Sequence, residues 1–220
     1  MKEVSENYLK YLFVRQQAGE TYIKPASLSK KFNVSAAAVS EMLKKLSDQG
    51  LILYVPYQGI SLTDAGLAQG QNMVRRHRLW EQYLHEKLGF AWDKVHEEAE
   101  MLEHASSDAL INALEEALGF PEFDPHGDPI PAKDGSIPKS KPALPLSSCT
   151  EGMEVEVVRV SDFDEEFLAY IQDLGIGLGT RLKVQHTHRF DHSIVINLDH
   201  KVISLSHFSA EHLFVVEQKP

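Results

Sequence analysis

Seven of the chain's ten prolines fall between positions 121 and 145. A run so rich in residues that fix φ and lack an amide donor neither continues a helix nor sits inside a sheet. Pro121, Pro125, Pro129, Pro131, Pro138, Pro142 and Pro145 therefore predict a semi-rigid linker over residues 121–148 and a domain boundary within a chain of 220 residues. The fold must be sought on either side of it.

On the N-terminal side the apolar period is helical. Tyr8, Leu9, Leu12 and Phe13 recur at helix spacing, and Pro25 to Phe32 reads as a short helix with proline in its first turn. Asn33-Val-Ser35 breaks the pattern. Ser35 then suits an N-cap, and Val39, Leu43 and Leu46 make one apolar stripe that Gly50 ends. Two short helices across a tight break are a helix-turn-helix. Leu51 to Val55 and Ile60 to Leu62, separated by Pro56-Tyr-Gln-Gly59, predict a hairpin beside it, so residues 1–62 read as a winged helix-turn-helix.

Residues 63–120 read as three helices: one from Thr63-Asp64 to about Leu88, one introduced by Trp92-Asp93 and running to about Ala105, and one capped by Ser106 or Ser107 and ending at Gly119. Their apolar positions Leu102, Leu110, Ile111 and Leu114 suit packing on a partner subunit or an intrachain core about equally. Beyond the linker, 149–220 carries alternating runs at 153–158, 181–185, 193–198 and 202–205, with one helix near Glu165 to Leu174, predicting a small barrel of about five strands. The fold class expected is mainly α with a small β part.

The net charge of −10 argues against a nucleic-acid binder only until it is divided. Residues 1–90 hold 12 Lys and Arg against 8 Asp and Glu, a net of +4, which leaves −14 for residues 91–220. Phosphate attraction depends on the local field, so the N-terminal part is a plausible surface for double-stranded DNA. No segment has the apolar length of a membrane span, and no leader pattern follows Met1, so the expectation is a cytoplasmic protein without a membrane partner. The single cysteine, Cys149, excludes an intramolecular disulfide and a thiolate zinc site. Any metal must be held by His and carboxylates.

Such residues are concentrated on two of the central helices. At about 100° per residue, His96, Glu100, Glu103 and His104 fall at about 0°, 40°, −20° and 80° and share one stripe. His77 and Glu81 share a face of the preceding helix. A His/Glu stripe at this spacing builds cation sites between helices, and carboxylate with imidazole suits Mn²⁺ or Fe²⁺. Zn²⁺, Co²⁺ and Ni²⁺ bind such donors as well. For any one of these residues alone, a solvated or satisfied side chain is the more frequent explanation; six together favour the metal.

Met73-Val-Arg-Arg-His-Arg-Leu-Trp-Glu81 and Lys94-Val-His-Glu-Glu-Ala-Glu-Met-Leu-Glu-His104 resemble the two signature segments of the diphtheria toxin repressor family of iron- and manganese-dependent repressors. Gly127-Asp-Pro-Ile-Pro131 is similar to the stretch after that family's dimerisation domain, and the C-terminal barrel resembles its SH3-like, iron-transport-accessory-like domain. The resemblance spans nearly the whole chain. It implies a homodimeric DNA-binding repressor with a divalent cation as co-repressor. It assigns Glu100, Glu103 and His104 to an activating site and His77, Glu81 and His96 to an ancillary one, each holding one ion. Glu100 stands where iron-responsive members carry cysteine, which tilts the expectation to Mn²⁺, with Fe²⁺ second.

The resemblance is imperfect on the first helix. Asn7 stands at the position of an acidic or methionine ligand, and Lys10 where some manganese regulators place a carboxylate. Asn7 is carried as a ligand through its amide oxygen. From the barrel, Asp164 and Glu165 are the candidates to complete the ancillary site, with Asp162 and Glu166 as neighbours able to serve. For DNA, Ser35, Ala36, Ala37, Ser40 and Glu41 are placed to meet base edges, with Lys44 and Lys45 for phosphates. Lys30, Lys31 and the Tyr54 to Gln58 wing tip are further backbone candidates. A helical-bundle hydrolase, or an interaction module using His186, His188 and His192, are the rival readings; no phosphate loop, nucleophile elbow or zinc-protease motif supports the enzyme.

Overall fold

The computed structural model describes residues 2–55, 57–199 and 201–218. The chain folds into two compact units, one formed by Met1–His77, Glu100–Leu114 and Pro131–Ile137, the other by Arg78–Ala99, Glu115–Ile130 and Pro138–Pro220. Among the described residues no helix is long and apolar enough to cross a membrane.

In the first unit, α1 (Lys2–Gln17), α2 (Pro25–Phe32) and α3 (Ala36–Asp48) precede the hairpin β1 (Ile52–Val55) and β2 (Gly59–Leu62). α2 starts on Pro25 and stops at Asn33, whose φ of 50° turns the chain left-handed. The Ser35 side chain accepts from the Ala38 amide at 3.2 Å and so caps α3 as expected. The apolar stripes of all three helices close on one core of Tyr8, Leu9, Leu12, Phe13, Leu28, Val39, Leu43 and Leu46. β1 and β2 pair antiparallel in register from Ile52↔Leu62 to Val55↔Gly59, making the wing; Pro56 in its turn lies outside the described residues. Ile23 adds an isolated bridge to Ile60, a third segment of the wing that its sequence did not announce.

α4 (Asp64–Glu86) runs on from the wing, and two glycines bring it down onto this core. A Cβ on Gly66 would sit 1.9 Å from the Leu51 carbonyl oxygen, and one on Gly70 would sit 2.6 Å from that of Leu9. α5 (Val95–Ala105) follows Trp92-Asp93 as expected, and Trp92 itself is buried in the second unit's core. α6 (Asp108–Ala117) is capped by Ser107, whose hydroxyl accepts from the Leu110 amide.

The second unit carries one six-stranded sheet of order β3-β8-β4-β5-β6-β7. Its strands are β3 (Leu144–Pro145), β4 (Glu154–Val160), β5 (Arg181–Thr187), β6 (Ile194–Leu198), β7 (Lys201–Leu205) and β8 (Leu213–Glu217), with every pairing antiparallel. α7 (Glu165–Asp173) and the short α8 (His207–Glu211) cover it. Val155, Val157, Leu182, Val184, Ile194, Ile196, Leu213 and Val215 alternate inward to form the core with Leu168 and Ile171 of α7. The sheet has six strands where about five were expected: four match the runs read from sequence, and β3 and β8 were not read. The proline-rich segment has no helix or strand between α6 and β3, yet it is not a bare spacer. Phe123 bridges Pro129, and Asp124, His126 and Ile130 are buried.

Candidate metal centre

Among the described residues, one group of metal-type ligands lies wholly within the first unit and two overlapping groups lie wholly within the second. In the first unit, ligand atoms of Glu100, Glu103 and His104 lie within 4.8 Å of one another, all on α5. The i, i+3, i+4 spacing puts them on one helical face, and Glu103 is fully buried. The His77 Nδ1 stands 2.5 Å from Glu103 Oε2, so α4 adds a ring to the same carboxylate. α1 contributes from the other side. Glu6 Oε2 is 2.8 Å from His104 Nδ1, which leaves Nε2 facing inward without a hydrogen bond, 3.4 Å from Glu103 Oε1. A carboxylate on the far ring nitrogen is the usual means of fixing the tautomer and direction of a metal-binding histidine.

The buried His104 Nε2 of this group makes no hydrogen bond, and neither does the buried Asn7 Oδ1, one residue after Glu6 on α1. Buried oxygens and ring nitrogens are otherwise almost always satisfied. Both are ligand types for a divalent cation, so the donor set fits one. The Lys10 ammonium also enters, 2.5 Å from Glu100 Oε1 and 2.8 and 2.9 Å from the two Glu103 oxygens.

In the second unit, Glu81 is the common member of two overlapping groups, Glu81 with His96 and Asp162, and Glu81 with Asp124 and His126. His96 Nδ1 stands 3.3 Å from Glu81 Oε1. Glu81, Asp124 and His126 are all buried. Asp124 is held by the turn it sits in: its Oδ1 accepts from the His126 and Asp128 amides at 2.8 and 3.0 Å, with Gly127 at a φ of 90°. A Cβ on Gly127 would meet the Val158 carbonyl oxygen at 2.2 Å, so β4 confines the turn. His126 lies flat on Trp92 with ring centroids 5.3 Å apart, and its Nε2 reaches the Trp92 carbonyl. Its buried Nδ1 makes no hydrogen bond.

Burial, joined by the charges of Asp128 and Glu81, pushes the Asp124 carboxyl well above the usual carboxylate range, while Arg78 works in the opposite direction. The Arg78 Nε stands 3.4 Å from Asp124 Oδ2. Asp128 is raised for the same first reason, burial, against the pull of Arg78. An interior with a surplus of carboxylates over cations is one that a divalent ion relieves.

The barrel residues fall differently from the sequence expectation. Asp162 reaches Glu81 and His96. Asp164 instead caps α7, accepting from the Phe167 amide at 2.9 Å, and Glu165 pairs with Lys94 at 2.7 Å. Asp164 is spent on the helix terminus and Glu165 on a surface ion pair. Asp124 and His126 were missed because an irregular segment has no period; the available signal was an acid and a histidine two residues apart inside a proline-rich stretch.

On the DNA-reading side, Ser35, Ala36, Ala37, Ser40, Glu41 and Lys44 are all exposed, as are Lys30 and Lys31. Lys45 instead donates to the Ser5 hydroxyl at 3.1 Å. The wing presents Tyr57, fully exposed, beside exposed Leu53 and Tyr54. His186 of β5 and His188 just after it meet ring to ring on the barrel surface, and among the described residues they join no group of metal ligands.

Comparison with known proteins agrees across the chain. Residues 1–60 match the model of the iron dependent repressor N-terminal DNA binding domain, 63–132 that of the iron dependent repressor metal binding and dimerisation domain, and 144–217 that of the FeoA domain. The iron-dependent repressor IdeR of Mycobacterium leprae is 28% identical over 98% of this chain and 97% of its own length. The diphtheria toxin repressor of Corynebacterium efficiens is 26% identical over 83% of each. The structure of a manganese-dependent transcriptional repressor in complex with manganese is 39% identical, covers 97% of this chain and all of its own, and superimposes with a TM-score of 0.88.

Proposed function

The chain belongs to the diphtheria toxin repressor family of metal-dependent transcription repressors, and from that premise we propose that it is a manganese-responsive member, a homodimer whose Glu100, Glu103 and His104 group takes the activating ion. It is a transcription regulator with a DNA-binding and a dimerisation domain, not an enzyme. The observation that carries the assignment of the ion is the cluster on α5 with His104 Nε2 held ready by Glu6. Two carboxylates and an imidazole, with the amide oxygen of Asn7, form a hard donor set that suits Mn²⁺; Fe²⁺ is the second choice. Zn²⁺, Co²⁺ and Ni²⁺ fill the same donors in vitro, in keeping with the general order of affinities. Glu81, His96 and Asp162, with Asp124 and His126 behind them, are assigned to a second ion.

When bound, a divalent cation supplies a fixed double positive charge among these carboxylates. The chain's own residues supply the coupling to DNA. Glu6 and Asn7 belong to α1, and Glu100, Glu103 and His104 to α5, so one group of donors ties the first helix to the dimerisation helices. α1 shares its core with α3. Fixing α1 therefore fixes the angle at which α3 is presented, and the ordered, DNA-competent state is favoured by linkage. Ser35, Ala36, Ala37, Ser40 and Glu41 then meet base edges, where the short side chains suit thymine methyl groups, and Lys44 meets a phosphate. Met101 on α5 and Leu110 on α6, 63% and 45% exposed, offer apolar surface for the second subunit.

The test is a band shift on operator DNA selected from a random pool with Mn²⁺ present. The parent retards that DNA only with the cation, and Glu103→Ala and His104→Ala lose the response. Variants that still require and follow Mn²⁺ as the parent does would refute the ligand assignment. Titrations with Fe²⁺, Zn²⁺ and Co²⁺ at controlled free concentration rank the ions.

A further inference from the structure

We propose that Lys10 is a tethered counter-cation of the activating group, and that a divalent ion loads by exchange against its ammonium, so that this one side chain sets the cation concentration at which the protein responds. The proposal rests on the ligand assignment above and adds a residue outside it.

The argument starts from the buried carboxylate. Glu103 is fully inaccessible and Glu100 is about one-third exposed (35%), and the two share a pocket with two histidines. Two carboxylates brought together out of water repel, and each loses hydration. The chain answers with Lys10, whose side chain is only 15% exposed although a lysine on an amphipathic helix ordinarily keeps its ammonium in water. Lys2 on the same helix does so, 83% exposed and 3.5 Å from Glu6. The Lys10 ammonium has three donors, and three carboxylate oxygens stand around it: Glu100 Oε1 at 2.5 Å and the Glu103 pair at 2.8 and 2.9 Å. His77 Nδ1 is at 3.4 Å.

These oxygens are the ones a metal ion would use. A first-row divalent ion sits roughly 2.0–2.2 Å from a carboxylate oxygen, so an ion on Glu100 and Glu103 and an ammonium on the same atoms would place like charges in one small shell. Both cannot hold it. Lys10 has a flexible four-carbon stem and leaves by rotating toward solvent, whereas the glutamates and His104 stay on α5. The Lys10 ammonium gives no hydrogen bond to the buried His104 Nε2, which makes none in this arrangement and would gain a partner with the ion. The ammonium thus stabilises the metal-free state and the ion must displace it.

The experiment titrates Mn²⁺ into metal-stripped full-length chain by calorimetry, for the parent, Lys10→Met and Glu103→Ala, and records melting without metal. The binding event lost in Glu103→Ala identifies this group. Lys10→Met is expected to tighten that event about tenfold, within the usual 5- to 150-fold range of intramolecular coupling, and to melt below the parent when metal-free. A second readout uses the parent alone: the side-chain nitrogen signal of Lys10, identified by its absence in Lys10→Met or Lys10→Arg, is shielded from exchange without metal and loses that protection once Zn²⁺ is in excess of two equivalents, enough to fill both groups. Parental affinity in Lys10→Met, or a Lys10 signal indifferent to Zn²⁺, overturns the exchange while the ligand assignment stands. If Glu103→Ala binds as the parent does, the ligand assignment itself fails.

Discussion

At the scale of single residues, the His and Glu side chains that share a helix could be grouped from sequence, and Glu6 on another helix could not. Glu100, Glu103 and His104 announce themselves because a 3.6-residue period converts spacing into a common face. Glu6 carries no such mark. It lies 98 residues from His104 in sequence, and only the packing of α1 brings its carboxylate to His104 Nδ1 at 2.8 Å. Glu6→Gln keeps the shape but removes the charge that stiffens and sharpens the ring as a donor, and the expected outcome is a 10- to 100-fold loss of Mn²⁺ affinity at this group in a calorimetric titration. Unchanged affinity would make Glu6 a bystander. Cys149 is the converse case, a residue type often read as a ligand that the fold makes inert. Burial pushes its thiol up to about 11, with Glu217 adding a smaller push in the same direction. A folded-state thiol pKa above the unfolded one means stability is complete below the ordinary thiol range and falls as pH rises from there toward 11. At neutral pH the folded protein is expected to resist alkylation that the denatured chain accepts at once, a comparison a mass spectrometer reads directly.

At the scale of elements, capping and stripe explain why the reading head could be drawn in advance. Pro25, Ser35 and the Val39, Leu43, Leu46 stripe sit where a helix-turn-helix needs them, and Ser35 contributes about 1 kcal/mol as a cap. β8 failed for the opposite reason. Leu213-Phe-Val-Val216 is four apolar residues in a row, without the alternation that marks a strand, and its identity comes from pairing with β3 on one side and β4 on the other. Trp92, which introduces α5, also serves the core of the barrel, a role that its local sequence does not show. Gly70 joins element to site. It lies where α4 packs tightly on α1, and an added Cβ would stand 2.6 Å from the Leu9 carbonyl oxygen and 2.8 Å from the Phe13 Cβ. In a free helix alanine would be favoured by about 1 kcal/mol. Here Gly70→Ala is expected to destabilise by about 1–3 kcal/mol through forced separation of the helices, and to weaken Mn²⁺ binding with it, since Asn7 and Glu6 move with α1. Denaturant unfolding reads the first effect and titration the second; a more stable variant would show that the helices are not in the contact described.

At the scale of the whole molecule, the division of charge has a physical purpose that the total of −10 conceals. The basic excess lies in residues 1–90 with the reading head, while Glu100, Glu103, Asp124 and Asp162 lie in the acidic remainder, and acid clusters that repel when empty are what a divalent ion is best placed to relieve. Two groups in two units imply two stabilising events per chain. For a single site that binds only the folded state, an ion at one hundred times its dissociation constant adds about 2.7 kcal/mol. In a chain of this length that corresponds to roughly 5–10 °C in melting temperature. The expected series in Mn²⁺ is therefore graded. The parent gains the most, Glu103→Ala keeps the gain that Glu81, His96 and Asp162 provide, and Asp124→Asn keeps the gain of the activating group. The variant carrying both substitutions loses the response. A parent whose melting temperature is indifferent to Mn²⁺ would exclude cation linkage. An Asp124→Asn variant with the full parental shift would leave Asp124 a buried turn residue, and the second ion would then rest on Glu81, His96 and Asp162 alone.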